Sequence, residues 1–161
     1  MPSSLLAGRQ KAPLTPQEIS RATHTFLGID DSVNTRYDPD SRTVFTVSTD
    51  EYGAQFGEIV FGPDIYPGTS LVDPNAALSL RAACAHELTH FHRWADKQAR
   101  NEDHLEHLDE AFTSLQAISR YHAKLSDTEI RQLAADAMLR IQLFIEEVLP
   151  EIVGTGADPA A

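Results

Sequence analysis

Residues 76–85, Ala-Ala-Leu-Ser-Leu-Arg-Ala-Ala-Cys-Ala, are small or apolar at nearly every position and run directly into His86-Glu87-Leu88-Thr89-His90. A helix that is apolar on almost every face is a buried helix, with other elements packed all round it. Buried His, Glu and His side chains are costly unless partners satisfy them. On a helix His86 and His90 lie one turn apart and are offset by only about 40°, so both imidazoles point the same way. Two imidazoles on one face make half of a tetrahedral zinc site, and Glu87 beside them is free to work on a metal-activated water. A merely solvated polar face would not follow such an apolar lead-in. Cys84 fits the same helix as a small buried hydrophobe, with no chemistry assigned to it.

The bulk numbers narrow the setting. A chain of 161 residues, 42% hydrophobic and 23% charged, is an ordinary globular length and composition, and one domain is expected over residues 14–154 with short tails at 1–13 and 155–161. A formal net charge of -11, with Lys and Arg scattered, argues against nucleic acid or an anionic membrane as partner. Cys84 is the only cysteine, which excludes a disulfide framework and a Cys-rich metal site. The first ten residues lack the basic start and long apolar core of a signal peptide, and no apolar run approaches membrane-spanning length, so a cytoplasmic setting is expected.

Along the chain, Thr15-Pro16-Gln17-Glu18 is a helix start with an N-cap, a proline at N1 and a capping box, and Gly28 is its expected stop. Val33–Tyr37 and Arg42–Ser48 flank Asp38-Pro39-Asp40-Ser41 and read as a hairpin; Glu58–Phe61 is a third strand, ended by Gly62-Pro63. Asp73-Pro74 opens the motif helix, which is expected to reach about Lys97. Asn101 can cap a third helix to about Lys124, and Ser126-Asp127-Thr128-Glu129 is a capping box for a fourth, to about Val148. Its Leu133, Ala134, Ala137, Met138, Ile141, Phe144, Ile145 and Val148 keep helical spacing and are expected in the core. The fold class is therefore α+β: a small, mostly antiparallel three-stranded sheet on a mainly helical domain of about four helices.

Catalytic zinc takes three protein ligands and keeps one position for water. Leu108-Asp109-Glu110-Ala111-Phe112-Thr113-Ser114 follows the first motif, with Glu110 placed 20 positions after His90. The pair of motifs resembles the gluzincins, the thermolysin-like clan of zinc metallopeptidases, over about residues 73–122. That resemblance implies a zincin-like fold, one Zn2+ per chain held by His86, His90 and Glu110, and Glu87 as general base. The metzincin alternative would use Asp96, but Arg93 stands where a helix-ending glycine is needed. His107 and Glu106 are the other candidates for third ligand, and His104 also lies close in sequence.

Two features complicate the match. On a wheel Glu110 points away from the stripe Leu105, Leu108, Phe112, Leu115, Ile118 and His122, a placement that would leave it in solvent. Its own face carries Ser114, Ala117 and Tyr121, which permits close approach of a second helix. A sandwiched helix follows, with the leucine stripe against the C-terminal helix and the small face against the motif helix. Ser114 also stands where thermolysin-like enzymes carry an aspartate that orients a zinc histidine; Asp109, Asp103 or Glu106 could take its place.

If the resemblance holds, the chain hydrolyses peptide bonds in a peptide or protein substrate, with metal-activated water and Glu87 as base. Tyr121 and His122 are candidate oxyanion donors, with Arg120 and Tyr66 behind them. Gly57–Phe61 would offer an edge for a substrate strand. Two other readings remain open: a non-catalytic zincin-fold binding or regulatory domain with a metal site, and a di-iron helical bundle using Glu87-Leu-Thr-His90, for which no matching second motif is present.

Overall fold

The computed structural model describes residues 9–68 and 78–155. Helix α1 spans Pro16–Ile29. Strands β1 (Asn34–Tyr37), β2 (Val44–Thr49) and β3 (Gln55–Phe61) follow. Helices α2 (Leu80–Ala95), α3 (Glu106–Tyr121) and α4 (Asp127–Leu143) make up most of the rest, and α5 (Leu149–Thr155) is a short C-terminal extension. The class is α+β, as the patterning implies. No helix among the described residues is long and apolar enough to cross a membrane.

Both capping boxes form. Thr15 and Ser126 accept the N3 amides of Glu18 and Glu129, whose carboxylates return the bond to the cap amides. These contacts lie within one turn, so no tertiary information is needed to place them. Helix α1 runs one residue past Gly28, and Asp30 caps it. Ser79 is the N-cap of α2, accepting from the amide of Ala82, so the helix starts later than Asp73-Pro74; those two residues lie outside the described ones. Lys97, in the left-handed region at φ 58°, ends the turn after it. Pro150 does not end the last helix. The chain widens into a π turn over Phe144–Val148, in which the amide of Leu149 reaches back to the carbonyl of Phe144. That turn absorbs the misfit of a proline, which has no amide to donate and would crowd the carbonyl four residues before it.

The sheet differs from the expected hairpin. Its order is β1-β3-β2, with β1 parallel and β2 antiparallel to β3. Asp38–Ser41 therefore links two strands that do not pair. The real hairpin is β2–β3, closed by Asp50, whose carboxylate accepts the amides of Tyr52 and Ala54, and by Gly53 at φ 83°. Ile59, Val60 and Phe61 explain the order: β3 is the most apolar strand, and the central place buries them. β3 is thus not an edge, and the free edge nearest α2 belongs to β2.

Helix α2 lies at the centre and touches α1, α3, α4, β2 and β3. Ala82, Cys84, Ala85 and Leu88 are fully buried in one core with Phe26, Ile59, Phe61 and Leu133. Arg9, in the stretch expected as a tail, is buried and donates to the carbonyls of Asp64, Ile65 and Leu78. Gly62 closes β3 where a Cβ would sit 1.7 Å from the carbonyl oxygen of Ser41. We expect Gly62→Ala to lower stability by at least about 2 kcal/mol in denaturant unfolding, because the obstacle is backbone. A change under about 0.5 kcal/mol would show that the two segments can part freely.

Helices α3 and α4 present faces other than the most apolar ones. Ala111, Ser114, Ala117 and Tyr121 of α3 are buried, whereas Phe112 and Leu115 are each 44% exposed. The small face does meet a neighbour, as inferred; on the leucine stripe Phe112 and Leu115 lie open, whereas Leu105, Leu108 and Ile118 are half-buried. On α4 Leu133 and Ala137 are buried but Met138 is 71% exposed, and Ile145, in the π turn that follows, is 51% exposed. Asp136 is buried in their stead. Met138 lies about 140° round the helix from Leu133, so burying Leu133, Asp136, Ala137 and Arg140 turns it outward.

Candidate metal centre

His86 and His90 leave α2 one turn apart, and Glu110 reaches them from the first half of α3. Nε2 of His86 lies 2.8 Å and Nε2 of His90 3.2 Å from the same Glu110 oxygen, and the two nitrogens are 3.1 Å apart. Among the described residues this is the one group of three or more such side chains whose donor atoms converge in this way. Tetrahedral ligands about 2.0–2.1 Å from a zinc ion are about 3.3 Å from one another. The observed triangle is within a few tenths of an ångström of that, so the donor set fits a small divalent cation.

Charge tells the same story. Burial raises a carboxyl pKa, yet His90 and His86 beside Glu110 hold its pKa well below the usual carboxylate range. Burial likewise works against a charged His90, but Glu110 and the more distant Glu87 and Asp109 carry its pKa up to about 9. In the metal-free protein the carboxylate of Glu110 therefore favours the protonated form of His90. Since the folded pKa of His90 is raised, this contact stabilises the metal-free fold fully below about pH 6.5, the unfolded value. It is lost as pH rises through about 9. We expect thermal unfolding in chelator to show a falling midpoint over that window, equivalent to on the order of 3 kcal/mol, and His90→Gln to remove the slope. A midpoint that rises with pH would contradict this.

Glu87 lies about 100° round α2 from His86. It faces a cleft of about 520 Å3 that His86, His90 and Glu110 also line. It has no hydrogen-bond partner among the described residues, and burial pushes its pKa up. The cleft is walled by Thr43, Val44, Phe45 and Val47 of the β2 segment and by Trp94 of α2. Phe45 packs on Phe91 and Trp94, with ring centroids 6.1 and 5.5 Å apart, which ties the strand to the motif helix.

Other expected residues lie elsewhere. Asp96 caps α2 and pairs with Arg120 at 3.7 Å, away from the histidines. His107 and Glu106 line the cleft but stay outside the donor group, and His107 faces Glu147 at 3.4 Å. Neither Tyr121 nor His122 reaches the cleft: Tyr121 donates to Asp30 at 2.7 Å, and His122 is exposed and bonds the carbonyl of Ser119. Tyr66 donates to the carbonyl of Glu18. The cationic side chains lining the cleft are Arg42 and Arg140, and Arg140 lies 3.6 Å from Glu110.

Asp109 does not support a histidine either. It takes Arg93 and the amide of Arg100, while Asp103 and Glu106 are exposed. The acid behind Ser114 is Asp136, which sequence reasoning missed. Its available signal was the i, i+4 pair Asp136–Arg140 beside Leu133 and Ala137. Compared with family models, curated proteins and solved structures, the chain matches none.

Proposed function

We propose that this chain is a zinc-dependent peptidase of the gluzincin type, acting on a peptide or protein substrate. The convergence of His86, His90 and Glu110 on one point, with Glu87 lining the same cleft, is the observation that carries the reading. His86, His90 and Glu110 would hold a zinc ion, which would supply Lewis-acid polarisation of a carbonyl and acidify a water. Glu87 accepts a proton from the attacking water and returns it to the departing nitrogen. Arg140, which lines the cleft with Arg42 and lies 3.6 Å from Glu110, is our candidate to receive charge developing on the carbonyl oxygen. The substrate strand pairs with the free edge of β2, where Val44 and Val47 border the cleft.

Metal analysis of the purified protein, combined with hydrolysis of a mixed peptide set with and without chelator, tests this reading. One zinc per chain and cleavage that chelator abolishes and zinc restores are the expected results. Zinc without cleavage of any peptide would leave a non-catalytic metal-binding domain. Two irons per chain would mean a di-iron site.

A further inference from the structure

His86 is held at both ring nitrogens. Nε2 faces Glu110 and His90, and Nδ1 lies 2.8 Å from Oγ of Ser114. Ser114 is fully buried, and its hydroxyl donates to Oδ2 of Asp136 at 2.6 Å. Asp136 is itself buried, and Nε of Arg140 donates to the same oxygen at 2.8 Å. Every hydrogen in this chain has one consistent placement when Nε2 binds a metal. The Asp136 carboxylate can only accept, so the Ser114 proton points to it. The serine lone pair then faces His86 and accepts from Nδ1–H. That leaves the Nε2 lone pair directed at Glu110 and His90, the form a metal ligand requires. The hydrogen bonds of His90 among the described residues are all at Nε2, so the relay acts on one histidine alone.

We propose that Asp136, acting through Ser114, is a positioning residue that fixes the tautomer and orientation of His86 for metal binding. The inference rests on the metal-site reading above. Helix α4 thus delivers through a hydroxyl the acid that α3 lacks at position 114. An aspartate in place of Ser114 would meet the imidazole directly, whereas a serine is too short and needs a second helix behind it. Arg140 keeps the acid in place and approaches Glu110 at 3.6 Å, so one guanidinium links the relay to the third ligand.

Zinc affinity of the full chain, measured by competition with a chromogenic chelator, tests the relay independently of hydrolysis. Ser114→Ala and Asp136→Asn should each weaken zinc binding by about ten- to a hundredfold. The double variant should lose no more than the weaker-binding single, because the two groups act in series. Ser114→Thr, which keeps the hydroxyl, should bind like the parent. In the zinc-loaded protein the Nδ1 proton of His86 should give a slowly exchanging NMR signal that Ser114→Ala abolishes. Should Asp136→Asn fail to fold, Ser114→Ala and Ser114→Thr carry the comparison, since they change one oxygen and one methyl. Parent-like affinity in Ser114→Ala, or losses that multiply in the double variant, would overturn the relay while leaving the metal site intact. A parent chain that binds no zinc would remove the metal-site reading itself, and the relay with it.

Discussion

Replacing Glu87 by Gln is expected to leave zinc bound at parental affinity and to slow peptide hydrolysis by about a thousandfold, within the usual range for removal of a general base. Glutamine keeps the shape and the hydrogen-bonding oxygen but cannot take up a proton. Glu87 does not belong to the converging donor group, so the metal should not notice the change. Because burial already penalises the Glu87 charge, neutralising it should leave stability equal or slightly higher. Paired measurement of metal content and steady-state cleavage checks both halves. Unchanged cleavage would end the mechanism proposed, and loss of zinc would instead make Glu87 a ligand.

Removal of a ligand should do the reverse. His86→Ala and Glu110→Ala are each expected to weaken zinc by about 3 kcal/mol, a factor of roughly 10² to 10³, if the binding energy of a four-ligand site divides about evenly. At micromolar zinc the purified variants should then carry little metal, and the thermal stabilisation that zinc gives the parent should vanish with it. The two variants should differ without metal. Glu110→Ala leaves His86 and His90 facing one another without the carboxylate between them, so His90 loses the largest of the contributions that hold its pKa up. His86→Ala keeps the His90–Glu110 pair at 3.2 Å. Atomic absorption and unfolding with and without zinc separate the cases. Full zinc occupancy in Glu110→Ala would pass the third ligand to His107 or Glu106.

Glu110 shows how far a sequence reaches. Its distance along the chain from His90 was legible, and so was the small face it shares with Ser114, Ala117 and Tyr121. That Phe112 and Leu115 would lie open while the small face packed inward was not, because apolarity says what would gain from burial and not which surface finds a partner. Met138 and Ile145 failed for the same reason. Tyr121 shares a face with Glu110, but the helix carries it along its axis to Asp30.

By itself the sequence determined whatever is set within a few residues: the capping boxes at Thr15 and Ser126, the buried character of the helix before His86, and the one-turn spacing that aims His86 and His90 together. Hydrogen bonds and side-chain direction over one or two turns follow from local geometry, and no other part of the chain can change them. Tertiary structure alone decided the rest: β3 at the centre of the sheet, the β2 edge along the cleft, and Asp136 rather than Asp109 behind Ser114. Those outcomes depend on which faces of separate elements come together. The pair Asp136–Arg140 could mark a buried acid, but that it meets a serine of another helix at 2.6 Å is decided only by the packing.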